Sequence, residues 1–118
     1  MRSRKGAYIP ERGDAVWITL DPQAGHEQAG RRPALVLSPS AYNGRVGLAL
    51  FCPITNQVKG YPFEVLLPAG SPVTGVVGAD QVKNLDWRAR KATRIGAVSE
   101  EVVLQVLQRL QALLAGGS

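Results

Sequence analysis

Cysteine and histidine are almost absent from this chain of 118 residues, which contains Cys52 and His26 and no other residue of either type. A single cysteine excludes an intramolecular disulfide and provides no thiolate cluster for zinc. A single histidine excludes a paired-histidine mechanism within one chain. Because Cys52 lies in the apolar run from Leu48 to Ile54, we interpret it as a small buried hydrophobic residue and not as a nucleophile.

Long hydrophobic runs are also missing. The N-terminal residues Arg2, Arg4 and Lys5 are not followed by an apolar segment of signal-peptide length, and no run approaches the length of a membrane span. We therefore expect a cytoplasmic protein with no membrane partner, in which residues 1–7 form a basic flexible tail.

The length and charge of the chain are those of one basic globular domain. This domain is predicted to extend over residues 1–118, because no repeat or linker divides the chain. Lysine and arginine number 14 against 9 aspartate and glutamate residues, which gives a net charge of +5. A positive surface attracts polyanions, but this supports a nucleic-acid partner only where other features agree.

Short β-favouring segments separated by turn residues dominate the chain. The predicted strands are Ala15 to Leu20, Ala34 to Leu37, Val46 to Ile54, Phe63 to Leu67 and Val73 to Val82. The last of these contains glycines and is predicted to bend or bulge. Leu85 to Thr93 is predicted to hold one or two further short strands, and Asn43-Gly44 predicts a hairpin turn.

The C-terminal segment has the pattern of an amphipathic helix. Ser99 is a suitable N-cap, and Glu100 and Glu101 suit the positive end of the helix dipole. Apolar residues then recur at helical spacing, at Val103, Val106, Leu107, Leu110, Leu113 and Leu114. The predicted fold is mainly β: a small antiparallel barrel or curled sheet, with this helix covering one face.

The loop from Gly25 to Pro33 is the most unusual segment. It places Glu27, His26, Arg31 and Arg32 within a few residues, and its glycines would let the backbone approach a ligand. From composition alone, a solvated loop with a surface ion pair is an equally good interpretation.

A second loop, Thr55 to Gly60, follows the long apolar strand. Thr55 could present its hydroxyl at the strand end, and Lys59 could meet a phosphate as a point charge. Taken alone, Thr55 is better explained as satisfying the local backbone.

Together the two loops contain groups that could cleave RNA without a metal. In that reaction the 2′-hydroxyl attacks the phosphorus, and the enzyme supplies a base, charge stabilisation and an acid. Glu27 could act as the base, Arg32 could stabilise the phosphorane, and Thr55 could donate to a non-bridging oxygen. How proton transfer divides between Glu27 and Arg32 stays open, because a guanidinium holds its proton strongly. The sequence has no clustered carboxylates typical of a metal site and no cofactor motif, so we expect neither a metal nor a cofactor.

A family resemblance supports this chemistry. The motifs that carry it extend from Tyr8 onward: Gly13-Asp14-x-x-Trp17, Asp21-Pro22, Gly25-x-Glu27-Gln28-x-Gly30-x-Arg32-Pro33, Leu37-Ser38-Pro39, Pro53-x-Thr55, Lys59 to Val65, Ala79 to Lys83 and Trp87 to Arg90. In order and breadth they resemble the MazF/PemK family of toxin endoribonucleases.

The resemblance implies a homodimeric Src-homology-3-like barrel of the PemK/CcdB type. It also implies cleavage of single-stranded RNA at short sequences, without metal, leaving a 2′,3′-cyclic phosphate and a 5′-hydroxyl. The catalytic residues it implies are Arg32, Thr55 and Glu27, and the expected RNA-binding residues are His26, Gln28, Arg31, Lys59 and Gln81. The implied protein partner is a MazE-like antitoxin whose acidic disordered segment occupies the basic cleft.

Two alternatives stay open at this point. A CcdB-like inhibitor of DNA gyrase would share the fold and cut nothing, and a non-catalytic nucleic-acid-binding barrel would leave RNA intact. Glu27, Arg32 and Thr55 favour the nuclease. Ile54 and Asn56, which flank Thr55, depart from the closest family pattern, so the RNA sequence that is cleaved cannot be transferred.

Overall fold

The computed structural model describes residues 7–20 and 30–116. Within these ranges the elements are β1 (Asp14–Thr19), β2 (Arg31–Val36), α1 (Ser40–Val46), β3 (Leu48–Thr55), β4 (Glu64–Leu66), β5 (Val76–Gly78), β6 (Lys83–Asp86), β7 (Thr93–Ala97) and α2 (Glu100–Ala115). The prediction of a mainly β fold with a C-terminal helix is confirmed.

Strand β3 is the centre of a seven-stranded antiparallel sheet with the order β4-β5-β3-β2-β1-β7, in which β6 also pairs with β3. The strand is long enough to change partners along its length: its first half pairs with β6, its middle with β2, and its last two residues, Ile54 and Thr55, with β5. Among the described strands no pairing joins β4 to β7, so the sheet is curled without being closed by hydrogen bonds.

The two faces of the sheet carry separate cores because side chains alternate along each strand. On β2, Leu35 packs on the face covered by α2, and Ala34 and Val36 pack on the other face with Phe51 and Trp87. Helix α2 buries Val102, Val103 and Val106 in the first core. The predicted role of the helix, covering one face, is confirmed.

Helix α2 begins as the sequence predicts. The Ser99 side chain accepts a hydrogen bond from the backbone N–H of Val102 at 3.3 Å, and Glu100 and Glu101 occupy the first turn. This cap satisfies one of the backbone donors that a helix N-terminus leaves without an internal partner.

The predicted hairpin turn at Asn43-Gly44 is wrong, because both residues lie in α1. Asn43 is fully buried: its Oδ1 accepts from Ser38 Oγ at 2.6 Å, and its Nδ2 donates to the carbonyls of Pro10 and Ser38. The indole N–H of Trp87 donates to the Asn43 carbonyl. Long-range hydrogen bonds of this kind override the local turn preference of an Asn-Gly pair.

Two further strand predictions need correction. Of the predicted strand Val73 to Val82, only Val76–Gly78 pairs, because Gly75 and the turn after Gly78 interrupt it. The segment Leu85 to Thr93 is mostly a turn, with β6 ending and β7 beginning at its two limits.

Candidate functional site

Two adjoining depressions meet at the end of β3, where both are lined by Pro53 and Thr55. The first, which we call the Arg32 pocket, has a volume of about 530 Å³ and includes Arg32 and Lys83 in its lining. The second, the Gln81 pocket, has a volume of about 200 Å³ and includes Lys59 and Gln81. The structure thus brings four of the predicted site residues, Arg32, Thr55, Lys59 and Gln81, into one continuous groove.

Arg32 reaches the groove from β2, where it pairs with Ile18 of β1. Its side chain is exposed, and its Nη1 donates to the carbonyl of Arg31 at 3.1 Å. A guanidinium placed on a strand in this way is held by the sheet at its base and presents a planar set of donors to a ligand.

Thr55 is the last residue of β3, and its hydroxyl is exposed at the junction of the two pockets. The Oγ1 atom accepts a hydrogen bond from the backbone N–H of Gln57 at 3.0 Å. The expected local role of the hydroxyl is therefore present. It does not compete with a role toward a ligand, because a hydroxyl that accepts one hydrogen bond still has its own proton to donate.

Gly75 allows the backbone to close tightly against Thr55. Its φ is +120°, and a Cβ at this position would lie 2.4 Å from the Thr55 carbonyl oxygen. Only glycine accommodates both the backbone angle and this approach. The position of Thr55 therefore depends on the residue that immediately precedes β5.

The loop that carries Lys59 is fixed by a carboxylate. Glu64 accepts hydrogen bonds from the backbone N–H of Lys59 at 3.0 and 3.1 Å and from that of Gly60 at 2.7 Å. Gly60 has a φ of +81°, which lets two successive N–H groups point at the same carboxylate. The Lys59 side chain is exposed on the wall of the Gln81 pocket, where it can contact an anion.

Gln81 is joined to two residues that the sequence did not single out. Its Nε2 donates to the hydroxyl of Tyr61 at 3.3 Å, and that hydroxyl donates to Asp80 Oδ1 at 2.8 Å. The ring of Tyr61 lies 6.4 Å from that of Phe63 in a tilted arrangement. Its hydroxyl, however, belongs to the groove, as does the side chain of Lys83. Tyr61 and Lys83 lie within motifs that carry the family resemblance, and this resemblance is the signal that could have identified them.

Arg31 does not line either pocket, although it is adjacent to Arg32. Successive residues of a strand face opposite sides of the sheet, and its guanidinium instead binds the end of β1 and the turn before β7. The acceptors, at 2.9 to 3.4 Å, are Thr19 Oγ1, Thr93 Oγ1 and the carbonyls of Trp17, Arg90 and Lys91. Arg90 in turn donates to the carbonyls of Thr19 and Leu20. The geometry favours a structural clamp over an RNA contact for Arg31.

Replacing Arg31 with glutamine is expected to slow cleavage by between about tenfold and a hundredfold, because the strand that carries Arg32 loses its anchor. The salt dependence of RNA binding should not change, since no phosphate contact is removed. Binding is measured with an RNA that carries a 2′-deoxy substitution at the cleavage site. Lys59→Gln is the matched variant and should lower the slope of log Kd against log salt by about 0.7. An equal loss of slope in Arg31→Gln would identify Arg31 as a phosphate contact.

Three of the predicted site residues, Glu27, His26 and Gln28, lie outside the described residues. The ends of the segment that contains them are described: the Leu20 N–H donates to the Gly30 carbonyl at 2.9 Å, and Gly30 lines the Arg32 pocket. Leu20 and Gly30, the described residues on either side of it, therefore both border the Arg32 pocket.

Three other kinds of feature are relevant to the described residues: a reactive cysteine, a metal site and a membrane-spanning helix. Burial raises the pKa of the Cys52 thiol to about 12, and the charge of Asp80 adds to the shift, so Cys52 is a buried apolar residue as predicted. In residues 7–20 and 30–116, no group of three or more His, Cys, Asp or Glu side chains is arranged to hold a metal ion. No helix in these ranges is long and apolar enough to span a membrane.

Comparison with known proteins identifies the family. Residues 11–114 match the family model described as PemK-like, MazF-like toxin of type II toxin-antitoxin system. The endoribonuclease toxin MazF of Escherichia coli K12 is 49% identical over 107 residues, which cover 91% of this chain and 96% of the relative. Crystal structures from Deinococcus radiodurans are similar as well. A MazF structure has a TM-score of 0.83 with 54% identity and covers 92% of this chain and 98% of its own. A MazE–MazF structure has a TM-score of 0.83 with 47% identity, and the match covers 95% of this chain and 100% of that chain.

The chain therefore belongs to the PemK-like, MazF-like toxin family of type II toxin–antitoxin systems.

Proposed function

We propose that this toxin is a metal-independent endoribonuclease that cleaves single-stranded RNA in the groove formed by the Arg32 and Gln81 pockets. The observation that carries the proposal is the convergence of Arg32 and Thr55 on one depression, although they come from different strands. The E. coli relative is named an endoribonuclease toxin, which agrees with this chemistry.

In the proposed reaction the 2′-oxygen of the RNA bonds to the adjacent phosphorus, and the bond from phosphorus to the 5′-oxygen of the next nucleotide breaks. Glu27 takes the proton of the attacking hydroxyl. The departing 5′-oxygen takes one proton, either this one returned by Glu27 or one from Arg32 that Glu27 then replaces. The products are a 2′,3′-cyclic phosphate and a 5′-hydroxyl. Arg32 stabilises the negative charge of the phosphorane with paired N–H donors, and the Thr55 hydroxyl donates a hydrogen bond to a non-bridging oxygen.

The Gln81 pocket would hold the neighbouring nucleotides. Lys59 and Lys83 lie on the walls of the two pockets and supply charge for adjacent phosphates, while Gln81 supplies an amide for a base edge. His26 and Gln28 would add contacts from the 21–29 segment. Arg31 is left out of this set because its guanidinium binds the fold itself.

The partners follow from the same groove. An antitoxin of the MazE type would place an acidic segment along the cationic wall and so compete with RNA. The MazE–MazF structures from D. radiodurans support such a partner. We propose that the toxin acts as a homodimer in the cytoplasm, where its RNA substrate is found.

A cleavage assay in excess chelator tests the function. The purified chain is incubated with a long single-stranded RNA, and the cut ends are mapped by primer extension. We expect discrete cuts at a short shared sequence, with 5′-hydroxyl ends. Intact RNA would contradict the nuclease and favour the CcdB-like gyrase inhibitor or a non-catalytic RNA-binding barrel, and cuts abolished by chelator would contradict the metal-free mechanism.

Thr55→Val is the variant that separates catalysis from binding in this assay. Valine keeps the shape of threonine and removes the hydroxyl, so cleavage should fall by about a hundredfold while RNA affinity changes little. Thr74→Val is a suitable control, since that exposed hydroxyl donates to the Asn56 side chain and lies outside both pockets. Full activity in Thr55→Val would remove this hydroxyl from the mechanism.

A further inference from the structure

The hydrogen bonds from Gln81 to Tyr61 and from Tyr61 to Asp80 form a chain with one direction. Gln81 Nε2 donates to the Tyr61 hydroxyl at 3.3 Å, and that hydroxyl donates to Asp80 Oδ1 at 2.8 Å. The order cannot be reversed while Asp80 is a carboxylate, because an ionised carboxylate only accepts hydrogen bonds. The single proton of Tyr61 is therefore used by Asp80, and its oxygen can only accept.

This direction determines how the Gln81 amide is turned. A side-chain amide has a donor end and an acceptor end, and they exchange places when the group flips by half a turn. Because the Tyr61 oxygen can only accept a hydrogen bond from Gln81, the amide nitrogen Nε2 faces Tyr61. The amide oxygen Oε1 is then the end available to a ligand in the pocket.

Gly78 provides the floor on which the amide is held. A Cβ on Gly78 would lie 3.4 Å from both Cδ and Nε2 of Gln81, so the amide packs directly over the glycine backbone. The backbone N–H of Gln81 also donates to the Gly78 carbonyl at 3.1 Å. The side chain is thus restrained at its base, along its plane and at its nitrogen.

We propose that Tyr61 and Asp80 are positioning residues that make the Gln81 pocket select a base whose amino group is at C6 of a purine or C4 of a pyrimidine, that is, adenine or cytosine. Adenine and cytosine carry an amino donor at the position where guanine and uracil carry a keto oxygen. An outward Oε1 accepts from the amino group and repels the keto oxygen. Selection for adenine or cytosine at one position next to the cut therefore depends on the orientation of this amide. The inference rests on the proposed RNA cleavage.

Cleavage of an RNA pool with randomised bases around the cut tests the proposal. For the native chain, we expect enrichment of adenine or cytosine over guanine and uracil at one position. Tyr61→Phe keeps the ring packed beside Phe63 and removes the hydroxyl, so the amide can flip. The amino-to-keto preference at that position should fall about tenfold.

Tyr42→Phe is the matched control. The Tyr42 hydroxyl also accepts from a side-chain amide, that of Asn84 at 3.3 Å, but it lies outside both pockets. This variant should keep the native base preference. A purely structural effect of losing a tyrosine hydroxyl would alter stability in either variant without changing base choice.

Asp80→Asn provides a second test that does not depend on the first variant folding. Its amide can donate to the Tyr61 oxygen, which frees the tyrosine proton for Gln81 and turns Nε2 toward the ligand. The preference should then move toward guanine or uracil. An unchanged base preference in Tyr61→Phe and Asp80→Asn, or a native preference for keto bases, would overturn the proposal. A native chain that leaves the whole pool intact would overturn the proposed function instead.

Discussion

Arg32→Ala should lower the rate of RNA cleavage by roughly a thousandfold while leaving the fold in place. The loss is large because the guanidinium is proposed to bind the phosphorane more tightly than the ground-state phosphate, so its contribution is made in the transition state. The fold should survive because the Arg32 side chain is exposed and its hydrogen bond is made to the adjacent carbonyl of Arg31. The rate is measured under single-turnover conditions with an excess of toxin over a short labelled RNA, and stability is measured by thermal unfolding.

Two variants make this result specific. Arg32→Lys keeps the charge but loses the planar pair of donors, so its rate should lie between those of the native and alanine variants. Arg45→Ala removes an exposed arginine from α1, outside both pockets, and should leave the rate within about twofold of native. A rate for Arg32→Ala within tenfold of native would show that Arg32 is not a catalytic residue.

Gly75→Ala is expected to destabilise the chain by about 3 kcal/mol and to abolish most of the cleavage activity. The added methyl group would lie 2.4 Å from the Thr55 carbonyl oxygen, and the backbone would keep a φ of +120° that alanine adopts only with strain. To relieve the contact, β5 must separate from the end of β3, where Thr55 pairs with Val76. Stability is measured by urea unfolding and activity by the single-turnover assay.

Gly70→Ala separates the effect of backbone strain from the effect of the close contact with Thr55. Gly70 also has a positive φ, +94°, but a Cβ there would meet no atom within 4 Å. This variant should therefore lose only about 1 kcal/mol from backbone strain and retain activity. If both variants lost the same stability, the close approach of Gly75 to Thr55 would have no energetic role.

The β-rich fold and the C-terminal helix could be predicted from sequence because their signals are local. Ser99, the acidic first turn and the apolar spacing of α2 act within a few residues of one another, and all agree. Asn43 shows the opposite case. Its turn preference is overridden by contacts with Pro10 and Trp87, which are distant in sequence and which no local pattern reveals.

In the candidate site, too, some residues could be identified from the sequence, whereas their spatial arrangement could not. Arg32 and Thr55 could be proposed from chemistry and family resemblance, but their placement in one pocket depends on how β3 pairs with β2 and β5. Arg31 and Arg32 are adjacent residues of the same type, so the sequence does not distinguish them. Their different roles arise because successive side chains on a strand face opposite sides of the sheet. The hydroxyl of Tyr61 could not be assigned from sequence, because its partners depend on the turn that follows β5.

The burial of Cys52 has a practical consequence for following this toxin in solution. Burial raises the pKa of the thiol to about 12, so almost no thiolate is present at pH 7, and the side chain has no solvent exposure. Maleimide dyes will therefore leave the native cysteine unlabelled. A cysteine introduced at exposed Gln57 would carry a fluorophore at the rim of the Gln81 pocket, where it can report the arrival of RNA or of an acidic antitoxin segment.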